Sequence, residues 1–123
     1  MNGIVHHVGA LGYTATMAAY SEGKPWHNAL VDYLRVNRDL VETSLTPHTR
    51  LKTYHSEATY LTWIDARQMN VENPSEYFEQ FGVGIYDGTP FGAPGFLRLN
   101  FACPRTMLSE ALSRIQRGLG ALT

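Results

Sequence analysis

The residue best suited to chemistry in this chain is Arg98, which lies between Leu97 and Leu99 in a short apolar run. Successive side chains of a strand point to opposite faces, so Arg98 points away from both leucines. A guanidinium cannot deprotonate, and it is tolerated in such a strand only with a partner. A carboxylate held by two hydrogen bonds suits it best. The pattern predicts either a ligand-carboxylate site or an internal ion pair with Asp65 or Asp87.

Other residue types that often carry chemistry do not form a recognisable site. The His6-His7 pair is adjacent, so its rings diverge in any regular element, and the remaining histidines lack a two-ligand spacing such as i, i+4. We therefore predict no metal site. Cys103, the single cysteine, excludes an internal disulfide and is interpreted as a small buried residue at a strand end. The glycine-rich segment 82–95 lacks the Gly-Lys-Ser/Thr ending of a phosphate loop.

Composition narrows the classes of partner. The chain has 123 residues, 44% of them hydrophobic, and a formal net charge of −1. The absence of basic runs argues against nucleic acids and anionic membranes as partners. No apolar run approaches the ~20 residues of a membrane span, and the first residues do not resemble a signal peptide. We expect a cytoplasmic protein.

The periodicity of apolar residues predicts helices at both ends of the chain. Residues 10–20, rich in alanine and methionine, suit a close-packed helix. A second helix begins near Pro25 and ends before Pro47. Its apolar stripe consists of Trp26, Leu30, Tyr33, Leu34, Asn37, Leu40 and Val41. The last helix begins at Pro104, with the stripe Met107, Leu108, Ala111, Leu112, Ile115 and Leu119.

The middle of the chain alternates between extended and helical segments. Residues 51–55 and 59–64 are predicted strands, the second rich in β-branched and aromatic residues. Asn73 begins a short helix through Phe81, and residues 83–86 form a further extended piece before the Arg98 strand. This order predicts an α+β fold, with a small, mostly antiparallel sheet covered by helices.

Three groups of residues stand out in order along the chain. They are Ala18-Ala19-Tyr20, Gly23, Trp26, Tyr33-Leu34 and Asn37-Arg38; then Thr59-Tyr60-Leu61, Trp63-Ile64-Asp65 and Arg67; then Asp87-Gly88, Phe91-Gly92, Gly95, Arg98-Leu99-Asn100 and Ala102-Cys103-Pro104-Arg105. In this order and spacing the chain resembles the C-terminal part of a class I/II aminotransferase, of the cystathionine beta-lyase-like carbon–sulfur lyase branch. The resemblance covers nearly all of the chain and implies the α+β small domain of fold type I enzymes that use pyridoxal 5′-phosphate (PLP).

The resemblance also implies roles for individual residues. Arg98 would bind the α-carboxylate of an amino-acid substrate and orient its α carbon toward the cofactor. Tyr60 and Phe91 would line the substrate entrance, with packing of a small core as the alternative. Ala58 departs from the family pattern, which has glycine there, and its methyl group would crowd a close backbone approach.

The family's cofactor site would lie outside this chain. Such enzymes hold PLP by a lysine, an acid at the pyridinium nitrogen and a phosphate-binding loop, all upstream of the matching region. The two lysines, Lys24 and Lys52, are interpreted as surface residues. We therefore expect residues 1–123 to be one C-terminal small domain, with 1–24 a helical segment that would bridge to a missing large domain. Apolar residues of that segment favour a homo-oligomer.

The resulting functional prediction is a C-terminal domain of a PLP-dependent carbon–sulfur lyase or aminotransferase. PLP is expected in the intact enzyme, and neither bound cofactor nor catalysis is expected from this chain alone. Two alternatives stay open: a non-catalytic binding or complementing module, and a truncated fragment without a function of its own.

Overall fold

The computed structural model describes residues 9–122, and the chain divides into two compact units, Met1–Tyr33 and Leu34–Thr123. The helices are α1 (Ala10–Glu22), α2 (Lys24–Leu45), α3 (Pro74–Glu79) and α4 (Arg105–Ala121). The strands are β1 (Lys52–Thr53), β2 (Leu61–Asp65), β3 (Tyr86–Asp87) and β4 (Phe96–Asn100). This order of helices and strands confirms the predicted one.

Within the first unit, α1 exposes a series of large apolar side chains. None of its residues is buried, and Leu11, Met17 and Tyr20 are 85%, 69% and 88% exposed. Val5 and Val8, two further apolar residues of segment 1–24, lie outside the described residues. An apolar surface of this kind is typical of a segment that another surface covers. The bridging role of residues 1–24 stays a prediction.

The four strands of the second unit form one antiparallel sheet in the order β1-β2-β4-β3. The central pair, β2 and β4, is matched along its full length from Leu61 opposite Asn100 to Asp65 opposite Phe96. The short β3 pairs with β4 through Tyr86 and Asp87. The α+β class and the antiparallel sheet are therefore confirmed.

The two faces of this sheet differ in burial. Thr62, Ile64, Leu97 and Leu99 are buried and point to one face. Helices cover that face, because the same core contains side chains of α2, α3 and α4. They include Val41, Leu45, Phe78, Leu108, Leu112, Ile115 and Leu119. The opposite face, where the alternate residues lie, is only partly buried. No helix within residues 9–122 combines the length and apolar character needed to cross a bilayer.

A buried amide ties α2 to the segment that follows β4. Asn37 is 0% exposed, and its Nδ2 donates to the backbone carbonyls of Phe101, at 2.9 Å, and Cys103, at 3.0 Å. Its Oδ1 accepts a hydrogen bond from Nε of Arg105 at 3.2 Å. All hydrogen-bonding atoms of the amide are thereby oriented, as burial of a polar group requires. The predicted apolar stripe of α2 thus has one polar member with a structural role.

Several details of the predicted elements are wrong. The first strand comprises Lys52–Thr53 rather than residues 51–55, and Trp26 and Tyr33 of the predicted α2 stripe are 69% and 38% exposed. The second strand begins at Leu61 rather than Thr59, because Thr59 has a left-handed φ of 68° that interrupts extended backbone. Met107, predicted in the apolar stripe of α4, is 62% exposed. The buried side of α4 follows Leu108, Leu112 and Ile115, and Met107 lies about 100° from Leu108 around the helix.

Candidate functional site

Arg98 lies at the centre of the partly buried face of the sheet. Its strand β4 is hydrogen-bonded on both sides, and its Cα partners are Trp63 on β2 and Tyr86 on β3. Residues directly opposite one another in an antiparallel pair point to the same face. Backbone pairing therefore fixes the origin of the Arg98 side chain and places Trp63 and Tyr86 beside it.

The immediate contacts of the Arg98 guanidinium are aromatic rings. Its Cζ lies 4.5 Å from the ring centroid of Phe91 and 4.8 Å from that of Tyr86. Both distances lie within the range of a cation–π interaction. We call Arg98, Tyr86 and Phe91 the arginine–aromatic cluster. The rings attract the positive charge but offer no carboxylate to neutralise it.

Neither candidate for an internal ion pair is bonded to Arg98. Asp65 pairs with Arg67 at 2.7 Å, and the hydrogen bond from that guanidinium holds the pKa of Asp65 below its usual value. Asp87 lies opposite Leu97 and so points to the other face of the sheet. Across residues 9–122, no carboxylate pairs with Arg98, and its Nε is buried without a hydrogen-bond partner. The cation is therefore free to take an external anion.

A row of stacked rings continues from the cluster across the sheet. Trp63 meets Phe91 edge to face at 6.1 Å between ring centroids and stacks on Phe96 at 5.7 Å. The guanidinium of Arg67 lies 4.9 Å from the Phe96 ring centroid. We call Phe96, Trp63 and Phe91 the aromatic row. It supports the exposed Phe91 ring from the side and limits its movement.

Phe91 reaches Arg98 because a tight turn folds back on the sheet. The turn is a single 3-10 turn, Thr89–Phe91. Gly88 donates to the carbonyl of Phe96 at 2.7 Å and accepts from the backbone N–H of Phe91 at 2.9 Å and of Ala93 at 3.1 Å. A side chain at Gly88 would meet the Ala93 carbonyl oxygen, since an added Cβ lies 2.4 Å from it. Glycine is required here by close backbone approach.

Of the two residues predicted to line the substrate entrance, Phe91 lies beside Arg98 and Tyr60 does not. Phe91 is 52% exposed and belongs to the arginine–aromatic cluster. Tyr60 is 48% exposed, precedes β2, and its carbonyl accepts from the N–H of Phe101 at 3.0 Å. Its ring is not part of that cluster. Next to Ala58, where a methyl group was expected to crowd the backbone, Thr59 has a left-handed backbone conformation. The substrate-lining roles of Tyr60 and Phe91 stay predictions.

Two members of the site were missed by sequence reasoning. Tyr86 and Trp63 were assigned to strands, without a role beside Arg98. Strand alternation carries the signal in part, because Trp63 points to the opposite face from Thr62 and Ile64. The pairing register that sets both residues opposite Arg98 is a long-range property that alternation does not contain.

The remaining candidate groups do not form a second centre. Lys24 is exposed, and exposed Lys52 has its Nζ 5.1 Å from the Tyr54 ring centroid. Lys24 lines an open cavity of about 600 Å³ beside Trp26. Cys103 is partly buried, which raises the pKa of its thiol. In the described part of the chain no three His, Cys, Asp or Glu residues group as a metal site would require.

Comparison with known proteins identifies the family. The family model of aminotransferase class I and II matches residues 2–115. Cystathionine beta-lyase of Corynebacterium glutamicum is 37% identical over 113 residues, covering 88% of this chain and 30% of that protein. The crystal structure of OvoB is 42% identical, with a TM-score of 0.93 over 98% of this chain and 32% of that chain.

A further solved relative contains the family cofactor. The PLP-bound C–S lyase of Staphylococcus hominis, complexed with the inhibitor L-cycloserine, is 32% identical with a TM-score of 0.81. The match covers 93% of this chain and 30% of the lyase chain. The chain thus spans about a third of the length of the relatives it matches. Because the family model covers most of its residues, the chain belongs to the aminotransferase class I and II family.

Proposed function

We propose that this chain is the C-terminal domain of a PLP-dependent carbon–sulfur lyase or aminotransferase, and that Arg98 binds the substrate α-carboxylate. One observation carries the proposal: a partly buried guanidinium at the centre of an open sheet face has aromatic neighbours and no carboxylate partner within residues 9–122. Such a cation is suited to a planar anion held by two hydrogen bonds. Relatives with PLP in their structures make an amino acid the natural ligand.

The cofactor belongs to the part of the enzyme that this chain does not span. PLP, when bound, supplies the electron sink that makes bonds at the α carbon labile. Lys24 and Lys52 do not fit its attachment site, because both are exposed. We therefore assign cofactor binding to a large domain, and we expect α1 to be covered by it or by a second copy. Oligomeric state and a cytoplasmic location stay predictions.

Arg98 would contribute binding and orientation. Fixing the carboxylate restricts rotation of the substrate and sets which bond to the α carbon faces the cofactor, and orientation of this kind is a large share of catalysis. In a lyase of the kind its relatives represent, the reaction would be β-elimination that releases a thiol, pyruvate and ammonia. Whether the intact enzyme eliminates or transaminates depends on groups around the cofactor.

Carboxylate binding by Arg98 can be tested on the chain itself. We expect acetate, added at constant ionic strength against chloride, to shift the side-chain NMR signals of Arg98 in a saturable way. Arg98→Lys keeps the charge but loses the planar pair of donors, so we expect about tenfold weaker binding. Arg98→Ala should abolish binding and cost less than about 2 kcal/mol of unfolding free energy.

Arg67→Lys is the matched control, because Arg67 lies on the same face and also contacts a ring but is already paired with Asp65. Its acetate affinity should equal that of the wild type. A collapse of cooperative unfolding in Arg98→Ala, or equal loss of binding in both lysine variants, would contradict the proposal.

A separate measurement distinguishes the domain assignment from a self-sufficient enzyme. The purified chain is mixed with PLP, reduced with borohydride and analysed by mass, and pyruvate release from cystathionine is assayed. We expect no stoichiometric adduct and no pyruvate, because exposed lysines have no reason to react selectively. An adduct at Lys24 or Lys52 with turnover would overturn the assignment. A binding or complementing module remains the second candidate, and it requires the same carboxylate affinity without catalysis.

A further inference from the structure

Within the arginine–aromatic cluster, the nitrogen atoms of the Arg98 guanidinium differ in burial. Arg98 is half-buried, and Nε is its buried atom without a hydrogen-bond partner, whereas neither Nη group is both buried and unpartnered. A guanidinium offers a carboxylate two kinds of edge, one formed by Nε with one Nη and the other by both Nη groups. Burial of Nε closes the first edge and leaves the second. The arrangement therefore restricts the direction from which a carboxylate can approach.

Two rings flank the guanidinium. Tyr86 is held beside Arg98 by the pairing of β3 with β4. Phe91 is brought over from the turn that Gly88 anchors and is supported by Trp63. Neither ring offers a strong hydrogen-bond acceptor at its face, so the rings hold the cation without competing for its donors. A carboxylate in the same place would consume those donors instead.

We infer that Tyr86 and Phe91 are positioning residues that hold the Arg98 guanidinium so that a ligand carboxylate is bound end-on, by the two Nη groups. The inference rests on the proposed function of Arg98 and adds how that site is built. It also assigns Tyr86 and the ring of Phe91 a role in affinity, separate from lining the substrate entrance. Because Tyr86 is 67% and Phe91 52% exposed, replacing either ring removes little core packing.

Side-chain NMR of the full 123-residue chain tests the inference with acetate as the probe. We expect upfield-shifted resonances for the Arg98 protons that lie over aromatic rings, and slow exchange of the buried Nε–H with water. We expect Tyr86→Leu and Phe91→Leu to lose the upfield shifts, to speed Nε–H exchange and to weaken acetate binding about threefold each. Tyr86→Phe keeps the ring and should retain all three properties.

End-on binding gives its own signature in the wild type. Saturation with acetate should leave the Nε–H resonance of Arg98 nearly unchanged, because the ligand does not contact it. A large downfield shift of that resonance would mean that Nε binds the ligand and would overturn end-on presentation. If the wild type binds acetate and both leucine variants bind it with the same affinity, the positioning role is overturned while the proposed function stays intact. No acetate binding by the wild type would overturn both.

Discussion

Replacing Gly88 by alanine is expected to destabilise the chain by about 3 kcal/mol, because the added methyl group has no space. An ideal Cβ at this position lies 2.4 Å from the carbonyl oxygen of Ala93 and 2.7 Å from that of Phe96. Both obstacles are backbone atoms, so rotation of a side chain cannot relieve the contact. The turn must open, which breaks the short hydrogen bond from Gly88 to Phe96. Urea unfolding followed by circular dichroism measures the loss.

The backbone of Gly88 makes this a clean test of space. Its φ of −79° and ψ of −16° suit any L-residue, so alanine adds no conformational strain. Gly84→Ala is the matched control, since nothing lies within 4 Å of its added Cβ, and we expect a change of no more than about 0.5 kcal/mol. Equal stability of the two variants would refute the packing argument. Displacement of Phe91 in Gly88→Ala should also weaken acetate binding.

Asn37→Ala is expected to cost about 3 kcal/mol of unfolding free energy. The substitution removes the two hydrogen bonds that the amide donates to the carbonyls of Phe101 and Cys103, and it takes away an acceptor for Arg105. Buried groups left without hydrogen bonds carry the full cost of desolvation. The loss should appear as a lower urea midpoint with an unchanged slope, as expected when compactness is retained.

An exposed asparagine in the same helix provides the control. Asn28→Ala in α2 should be neutral within about 0.5 kcal/mol, because Asn28 is exposed and alanine is the better helix former. Asn37→Asp preserves the side-chain volume but places a carboxylate, which has no N–H donors, against two carbonyl oxygens. We therefore expect this variant to be destabilised at neutral pH. A stability close to wild type in Asn37→Ala would show that the two carbonyls find other partners.

Local sequence information was sufficient for the order of elements and for the antiparallel sheet. Asn73 illustrates why: its side chain accepts from the N–H groups of Ser75 and Glu76 and begins α3, and both partners lie within three residues. Boundaries failed where a single residue departs from its local preference. Thr59 adopts a left-handed φ of 68°, which its β-branched side chain disfavours, so propensity could not anticipate where β2 begins.

The surroundings of Arg98 were harder to predict. Its exposure to one face followed from alternation with Leu97 and Leu99, but its neighbours depend on pairing between segments far apart in sequence. The contact with Phe91 depends in addition on a turn whose geometry is set by backbone approach at Gly88. Sequence reasoning therefore identified the cation and its candidate ligand, while the rings that hold it required the folded structure.

The different burial of the two sheet faces also matters for evolution and engineering. Residues that face the helices and residues that face outward alternate along β2 and β4. If Arg98 binds its ligand as proposed, changes in ligand preference can accumulate at Trp63, Tyr86 and Phe96, which do not share the helix-covered face of Ile64 and Leu97. A library randomised at these outward positions alone would leave the buried face of the sheet unchanged, so altered ligand preference could be compared among variants that share one core.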